Sequence, residues 1–240
     1  MYMKKFEFTG ETKILFDGTI LHRIKALVEI KLGCFIAKAG DLGGWIEKEE
    51  NLSQNGNAWV YGNAMVGGDA EVYGNARVGG DAWVYGKAEV GGNARVGGDA
   101  EVGGNARVGG DAMVYGNAMV YGNAMVGGDA EVYGNAMVYG NAMVGGNARV
   151  YCNAMVGGDS YVYKPEHILV IGPIGSRNGY TTFARNKAGE IKVKCGCFFG
   201  DTPEFLDEVE KTHGDSKYGN VYRLAVQVTL EQIDTKPMDE

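Results

Sequence analysis

A six-residue repeat fills the middle of this chain and leaves little freedom in how it folds. Val recurs every sixth residue from Val60 to Val162, eighteen times without a gap. The residue two before it is Ala in every unit but the last, where Ser160 stands, and the residue two after it is Gly except at Cys152 and Lys164. Asn or Asp follows that Gly, save for Lys87 and the closing Pro165. In Ala-x-Val the alternation of an extended chain sends Ala and Val to one face and x to the other, so each unit predicts a strand of three or four residues. The Gly-Asn or Gly-Asp that follows suits a corner that needs a positive φ. Strand and corner repeated in this way wind into a solenoid with a narrow interior of Val and Ala, in which Asn at equivalent corners can stack into hydrogen-bonded ladders.

The unit resembles the hexapeptide repeat of left-handed parallel β-helix proteins, an aliphatic residue followed four positions later by a small one, here Val-[Tyr/Gly]-Gly-[Asn/Asp]-Ala-x. Three hexapeptides make one triangular coil in that family, so the resemblance implies about six coils, a left-handed hand and a shaft roughly 29 Å long at ~4.8 Å per stacked strand. The whole chain is then mainly β: a β-rich N-terminal cap over residues 1–50, the β-helix over 51–163, and a small α+β C-terminal domain over 164–240.

Composition narrows the classes further. Gly makes up 40 of 240 residues, but four prolines exclude collagen. The net charge of −7 comes without a basic block, so no nucleic-acid partner is expected. No apolar run reaches the ~18 residues of a membrane span, and the start, MYMKKFEFTGETK, lacks an apolar stretch behind its basic residues; no membrane association and a cytoplasmic location are expected. Four scattered cysteines, Cys34, Cys152, Cys195 and Cys197, read as free thiols. The best-known relatives of the repeat are acyltransferases and a class of carbonic anhydrase, which use His projecting from the coils. The three His here, His22, His167 and His213, lie outside the array, so that chemistry is disfavoured and no catalytic residue, cofactor or metal site is assigned.

Stacking by eighteen sorts the outward residues into three faces. The face through Val66 carries Met65, Trp83, Glu101, Met119, Met137 and Met155 with Tyr85, Tyr121 and Tyr139, an exposed apolar and aromatic stripe; Met125 and Met143 stand on the face through Val72. The face through Val60, with Trp59, Arg77, Arg95, Met113, Glu131 and Arg149, is the most charged. Apolar surface of this kind marks a contact between copies, with a trimer favoured, or a site for another protein; the alternative is a duplicated unit that copies Met and Tyr without using them.

The flanks predict a hairpin turning at Asp17-Gly18, an irregular lead-in coil with Leu42, Ile46 and Leu52, a short buried strand at 167–171, and a loop from Gly172 to Gly179. A hairpin follows, with TTFAR and EIKVKCGCFF as its two strands, then a helix capped at Asp201 with Pro at its first position and ending at His213-Gly214. The segment SKYGNVYRLAVQVTLEQI is read as a helix from the spacing of Val221, Leu224, Ala225 and Val228, although AVQVTL also alternates like a strand. Gly175, Ser176, Arg177, Asn178, Tyr180 and Thr181 are the candidate ligand contacts, because amides, a hydroxyl and a guanidinium there suit an anion. Cys195 and Cys197, sharing one face of a strand, are a weaker metal-ligand thought together with His213. The phrases GDLGGWIEKEENLSQNGNAWVYGNA and IGPIGSRNGYTTFAR…KCGCFFG resemble hexapeptide-repeat proteins of bacteria, prophages and phages that carry no assigned activity. That resemblance implies an accessory role, such as capture of a small anionic, nucleotide-like ligand or of a host defence protein. A purely structural spacer is the alternative, and a hexapeptide-type acyltransferase the third reading.

Overall fold

The structure, a computed structural model, describes residues 4–236; residues 1–3 and 237–240, the outermost parts of the two expected flanking modules, lie outside the described residues. Two antiparallel strands, β1 (Phe6–Ile14) and β2 (Ile20–Ala26), form the expected hairpin, with a shift of register between Phe8 and Thr12. A small hairpin of β3 (Ile30–Leu32) and β4 (Phe35–Ala37) follows, then β5 (Leu42–Ile46). The array supplies eighteen two-residue strands, from β6 (Trp59–Val60) to β23 (Tyr161–Val162). Each pairs in parallel with its neighbour eighteen residues away, giving three sheets of a parallel β-solenoid. One sheet continues through β5 into β2 and β1, and Leu52 bridges to Val72, so an irregular lead-in coil precedes the six regular ones.

Every Val and Ala of the array is between 0 and 2 % exposed. Burying a Val side chain is worth about 1.5–3 kcal/mol, so three per coil give each turn a continuous source of stability. Hydrogen bonds run from each coil to the next, as from Met65 N–H to Ala82 O at 2.9 Å and from Gly67 N–H to Val84 O at 3.0 Å. The corner glycines sit at φ between +54° and +75°, and a Cβ on an interior one points at the backbone of the next coil; at Gly98 it would lie 2.9 Å from Gly116 N. Cys152, at φ +60°, is the one corner residue of the array with a side chain in this conformation. It stands in the last coil of its column, where no further corner lies beneath it.

The carboxamide ladders form as expected, and the ends of two have a chemical cause. Asn57 donates to Asn75 (3.4 Å), Asn75 to Asn93 (3.1 Å) and Asn93 to Asp111 (2.9 Å); Asn63 donates to Asp81 (2.9 Å). A carboxylate accepts and cannot donate onward, so Asp111 and Asp81 close these two runs, whereas the runs Asn105–Asn123–Asn141 and Asn117–Asn135–Asn153 end on an amide.

The residue after each Val follows a rule that sequence inspection missed. A Tyr there lies over the Gly at the equivalent place one coil away: Tyr61 over Gly79, Tyr73 over Gly91, Tyr85 over Gly103, Tyr115 over Gly97, Tyr139 over Gly157 and Tyr163 over Gly145. Two pairs of Tyr on adjacent coils stack, Tyr121 on Tyr139 at 5.6 Å and Tyr115 on Tyr133 at 5.9 Å, while Tyr151, beyond Tyr133, is exposed.

Both ends of the solenoid are covered. Lys5 is buried and its Nζ donates to Ala58 O at 2.8 Å; burial lowers its pKa to about 8. Beyond the last coil, a short 3₁₀ turn at Pro165–His167 leads to a four-stranded antiparallel sheet of β24 (Ile168–Ile174), β25 (Gly179–Arg185), β26 (Ile191–Cys195) and β27 (Phe198–Asp201). Strand β25 seats this module on the shaft: Met155 N–H donates to Thr182 Oγ1 at 2.9 Å, and Asn186 donates to Asp159 at 3.1 Å. Buried Arg185 holds the end of the chain through Asp234 O (2.9 Å) and Lys236 O (2.6 Å).

Four expectations for this module need correction. The strand expected at 167–171 starts at Ile168, runs on to Ile174 and is only half-buried, which shortens the loop to the turn Gly175–Asn178. EIKVKCGCFF is two strands, because Gly196 at φ +55° turns the chain; Cys195 pairs with Phe198, so Cys195 and Cys197 do not share a strand face. Helix α1 (Thr202–His213) has its capping box between Asp201 and Glu204, but Pro203 is its second residue, Thr202 being the first. Helix α2 (Lys217–Gln232) forms, yet its buried side is Gly219, Tyr222, Ala225, Val226 and Thr229, while Val221, Leu224 and Val228 are exposed.

Candidate functional site

The turn Gly175–Asn178, the β26–β27 turn and the inner sides of both helices enclose a cleft of about 220 Å³. Its wall is aromatic: Phe205 meets Tyr222 edge-on at 5.6 Å and Phe198 at 5.3 Å, and His213 lies against Tyr222 at 5.6 Å. Gly175 is required where it stands, since its φ is +73° and a Cβ would run into the Tyr222 hydroxyl. Asn178 takes φ +48° to complete the turn, its N–H bonding Gly175 O at 3.4 Å.

Thr181 is fully buried and donates from Oγ1 to Cys195 Sγ at 3.3 Å, and that thiol donates to the Tyr222 hydroxyl at 3.8 Å. Burial, reinforced by Cys195, pushes the Tyr222 pKa up to about 12, so the phenol keeps its proton at neutral pH and remains a donor. At the rim stand the exposed Ser176 and Arg177, with Glu208 and Cys197 also lining the cleft.

The candidate ligand residues therefore divide. Ser176, Arg177 and Tyr180 line the cleft; Gly175 and Asn178 shape the turn; Thr181 supports Cys195 from inside. The structure brings Cys195 at the end of β26, Cys197 in the turn after it and His213 at the end of α1 to the same cleft. Among the described residues, no group of three or more His, Cys, Asp or Glu side chains is arranged to hold a metal ion. The aromatic wall was not legible as a site, since Phe198, Phe205 and Tyr222 lie on three separate elements, β27, α1 and α2.

On the shaft, Met65, Trp83, Met119, Met137, Met155, Met143, Tyr121 and Tyr139 are half-buried, because each tyrosine folds along its own sheet; Met125, at 37 %, is more open. The stripe is interrupted by Glu101, on the rung between Trp83 and Met119.

A family model described as YdcK Beta solenoid repeat matches residues 70–86, 112–130 and 130–146, all within the array. The chain is a β-solenoid repeat protein. No curated protein matches it.

Proposed function

We propose that the protein is a binding scaffold in which the solenoid carries a ligand-capturing C-terminal module. The observation that supports this reading is the convergence of an aromatic wall, the Tyr222 hydroxyl and the Arg177 guanidinium on one cleft. A flat apolar ring system stacks on such a wall, and a phosphate or carboxylate on that ring is met by Arg177. A nucleotide-like small anion has both parts. In the phage or prophage setting suggested by the flanks, capture of a host signal molecule of that chemistry is the use this cleft serves, with a host defence protein as the other object of capture. Titration calorimetry against a panel of nucleoside monophosphates tests it. Binding by at least one member, weakened tenfold or more by Arg177→Glu, supports the reading; no binding across the panel, or binding indifferent to Arg177→Glu, overturns it.

A second, structural reading is favoured by α2. Lys217, Val221, Leu224, Val228 and Glu231 fall within about 80° of one another at ~100° per residue, and all five are exposed. Two copies packed antiparallel about Leu224 bring Lys217 beside Glu231 of the partner subunit, with Val221 and Val228 filling the seam between. This reading makes the protein a two-fold dimer, and size-exclusion chromatography with light scattering tests it. A dimer converted to monomer by Leu224→Glu supports it; a wild-type monomer, or a higher assembly unaffected by that change, rejects it.

A further inference from the structure

The array contains four arginines, and the solenoid treats them in two ways. Arg107 reaches Glu89 one coil before it (Nη2 to Oε1, 3.2 Å), and Arg149 reaches Glu131 in the same manner (Nε to Oε2, 3.3 Å). Both pairs sit on adjacent rungs of a parallel sheet in register. Arg77 and Arg95 also occupy adjacent rungs in register, but each other's, with Trp59 on the rung before and Met113 on the rung after. Neither forms an ion pair among the described residues. Two guanidinium groups are thus held one coil apart with no carboxylate on any neighbouring rung.

They line a groove of about 270 Å³ between the shaft and the β3–β4 hairpin. Lys31 of that hairpin faces the same groove, held by Glu29 at 2.7 Å. The carboxamide ladder of Asn57, Asn75 and Asn93 lines the same groove beside the arginines, and in it each amide spends one N–H on the ladder and retains a second. Asp111 closes the far end as the ladder's last acceptor. The groove lies near the N-terminal cap, whereas the cleft of the C-terminal module lies beyond the last coil.

We propose that this groove is a second binding site, selective for a polyphosphate group, in which Arg77 and Arg95 each take one of two successive phosphoryl units. A guanidinium matches phosphate oxygens through two parallel N–H donors, and rungs ~4.8 Å apart set two such forks side by side, one for each of two linked phosphoryl groups. Lys31 and the free amide N–H groups of the ladder supply further donors. The site does not depend on the C-terminal cleft.

The probe is inorganic pyrophosphate, titrated calorimetrically into the full chain at low ionic strength. One site per chain is expected, with affinity falling tenfold or more in Arg77→Gln and in Arg95→Gln and unchanged in Arg107→Gln, Arg149→Gln and Arg177→Glu. Arg95→Glu is the decisive variant. It sets a carboxylate one rung from Arg77, as in the two existing pairs but with the order of Glu and Arg along the chain reversed, so the chain is expected to fold with an unfolding midpoint no lower than wild type and to lose pyrophosphate binding. Titration with ADP separates the sources of the group: equal dependence on Arg95 shows that the phosphates alone are read, whether free or on a nucleotide. No pyrophosphate binding by the wild type overturns the proposal. So does an equal loss across all the arginine variants, or binding that survives in folded Arg95→Glu.

Discussion

The corner glycines permit a direct test of how the coils are stacked. At Gly116, φ is +73° and an added Cβ would lie 3.0 Å from Gly134 N in the next coil. Holding an L-residue in the left-handed region costs about 1–2 kcal/mol, and replacing Gly returns roughly 0.5–1 kcal/mol by restricting the unfolded chain. The close contact adds to the cost because the neighbour is backbone and cannot rotate away, so Gly116→Ala is expected to destabilise by about 1–2 kcal/mol. Cys152 has the same backbone conformation at φ +60° but no coil beyond it in its column. There only the conformational cost applies, and Cys152→Gly is expected to stabilise by about 0.5–1 kcal/mol. For a chain of this size, 1 kcal/mol moves the thermal midpoint by roughly 2–4 °C. Circular dichroism melts of the two variants beside wild type should therefore move in opposite directions. A Gly116→Ala midpoint equal to wild type, or a lower midpoint for Cys152→Gly, refutes the argument that each corner Cβ is directed at the next coil.

Three further outcomes follow from other parts of the fold. Gly103 lies under the Tyr85 ring while Gly109 has nothing within 4 Å, so Gly103→Ala should lower the melting midpoint and Gly109→Ala should leave it unchanged or raise it slightly; equal effects would sink the Tyr-over-Gly rule. His167 accepts from Tyr163 N–H on Nδ1 at 3.2 Å, and burial, aided by Arg185, lowers its pKa. Because the unfolded chain takes up the proton near pH 6.5 and the folded one resists, this group costs nothing above that pH and removes stability as pH falls below it; chemical denaturation at pH 7.5 and 5.5 should show a smaller pH-dependent loss in His167→Gln than in wild type. Deletion of residues 103–120 removes one coil and keeps every column in phase, so the shortened chain should melt cooperatively near the wild-type midpoint; an unfolded product contradicts the eighteen-residue coil.

How far the sequence leads differs between the parts of the molecule. The array is legible because each hexapeptide contains its own strand, corner and core residue, so local chemistry and the fold agree at every unit. Leu52 and Ile46 announced the lead-in coil for the same reason. The Tyr and Gly pairing lies eighteen residues apart and becomes visible only when coils are stacked, and the columns do not alternate regularly, since Gly91, Gly109, Gly127 and Gly145 follow one another in one and Tyr115, Tyr133 and Tyr151 in another. In α2 the larger apolar residues, Val221, Leu224 and Val228, suggested the buried face, but the core of the module is joined by Tyr222, Ala225 and Val226, while Gly219 lies against Gly214 in the turn before the helix. The cleft was half legible: Ser176, Arg177 and Tyr180 were found from loop chemistry, whereas the wall that gives them a ligand to hold is formed by Phe198, Phe205 and Tyr222, which come from three elements brought together only by folding.

The central claim is that the C-terminal cleft captures a small anionic molecule, and native mass spectrometry of the gently purified full chain tests it most directly. The account predicts a discrete, nucleotide-sized non-covalent mass on each subunit that is absent from Arg177→Glu. A bare polypeptide mass in the wild type, or an adduct of the same size and occupancy in Arg177→Glu, contradicts it.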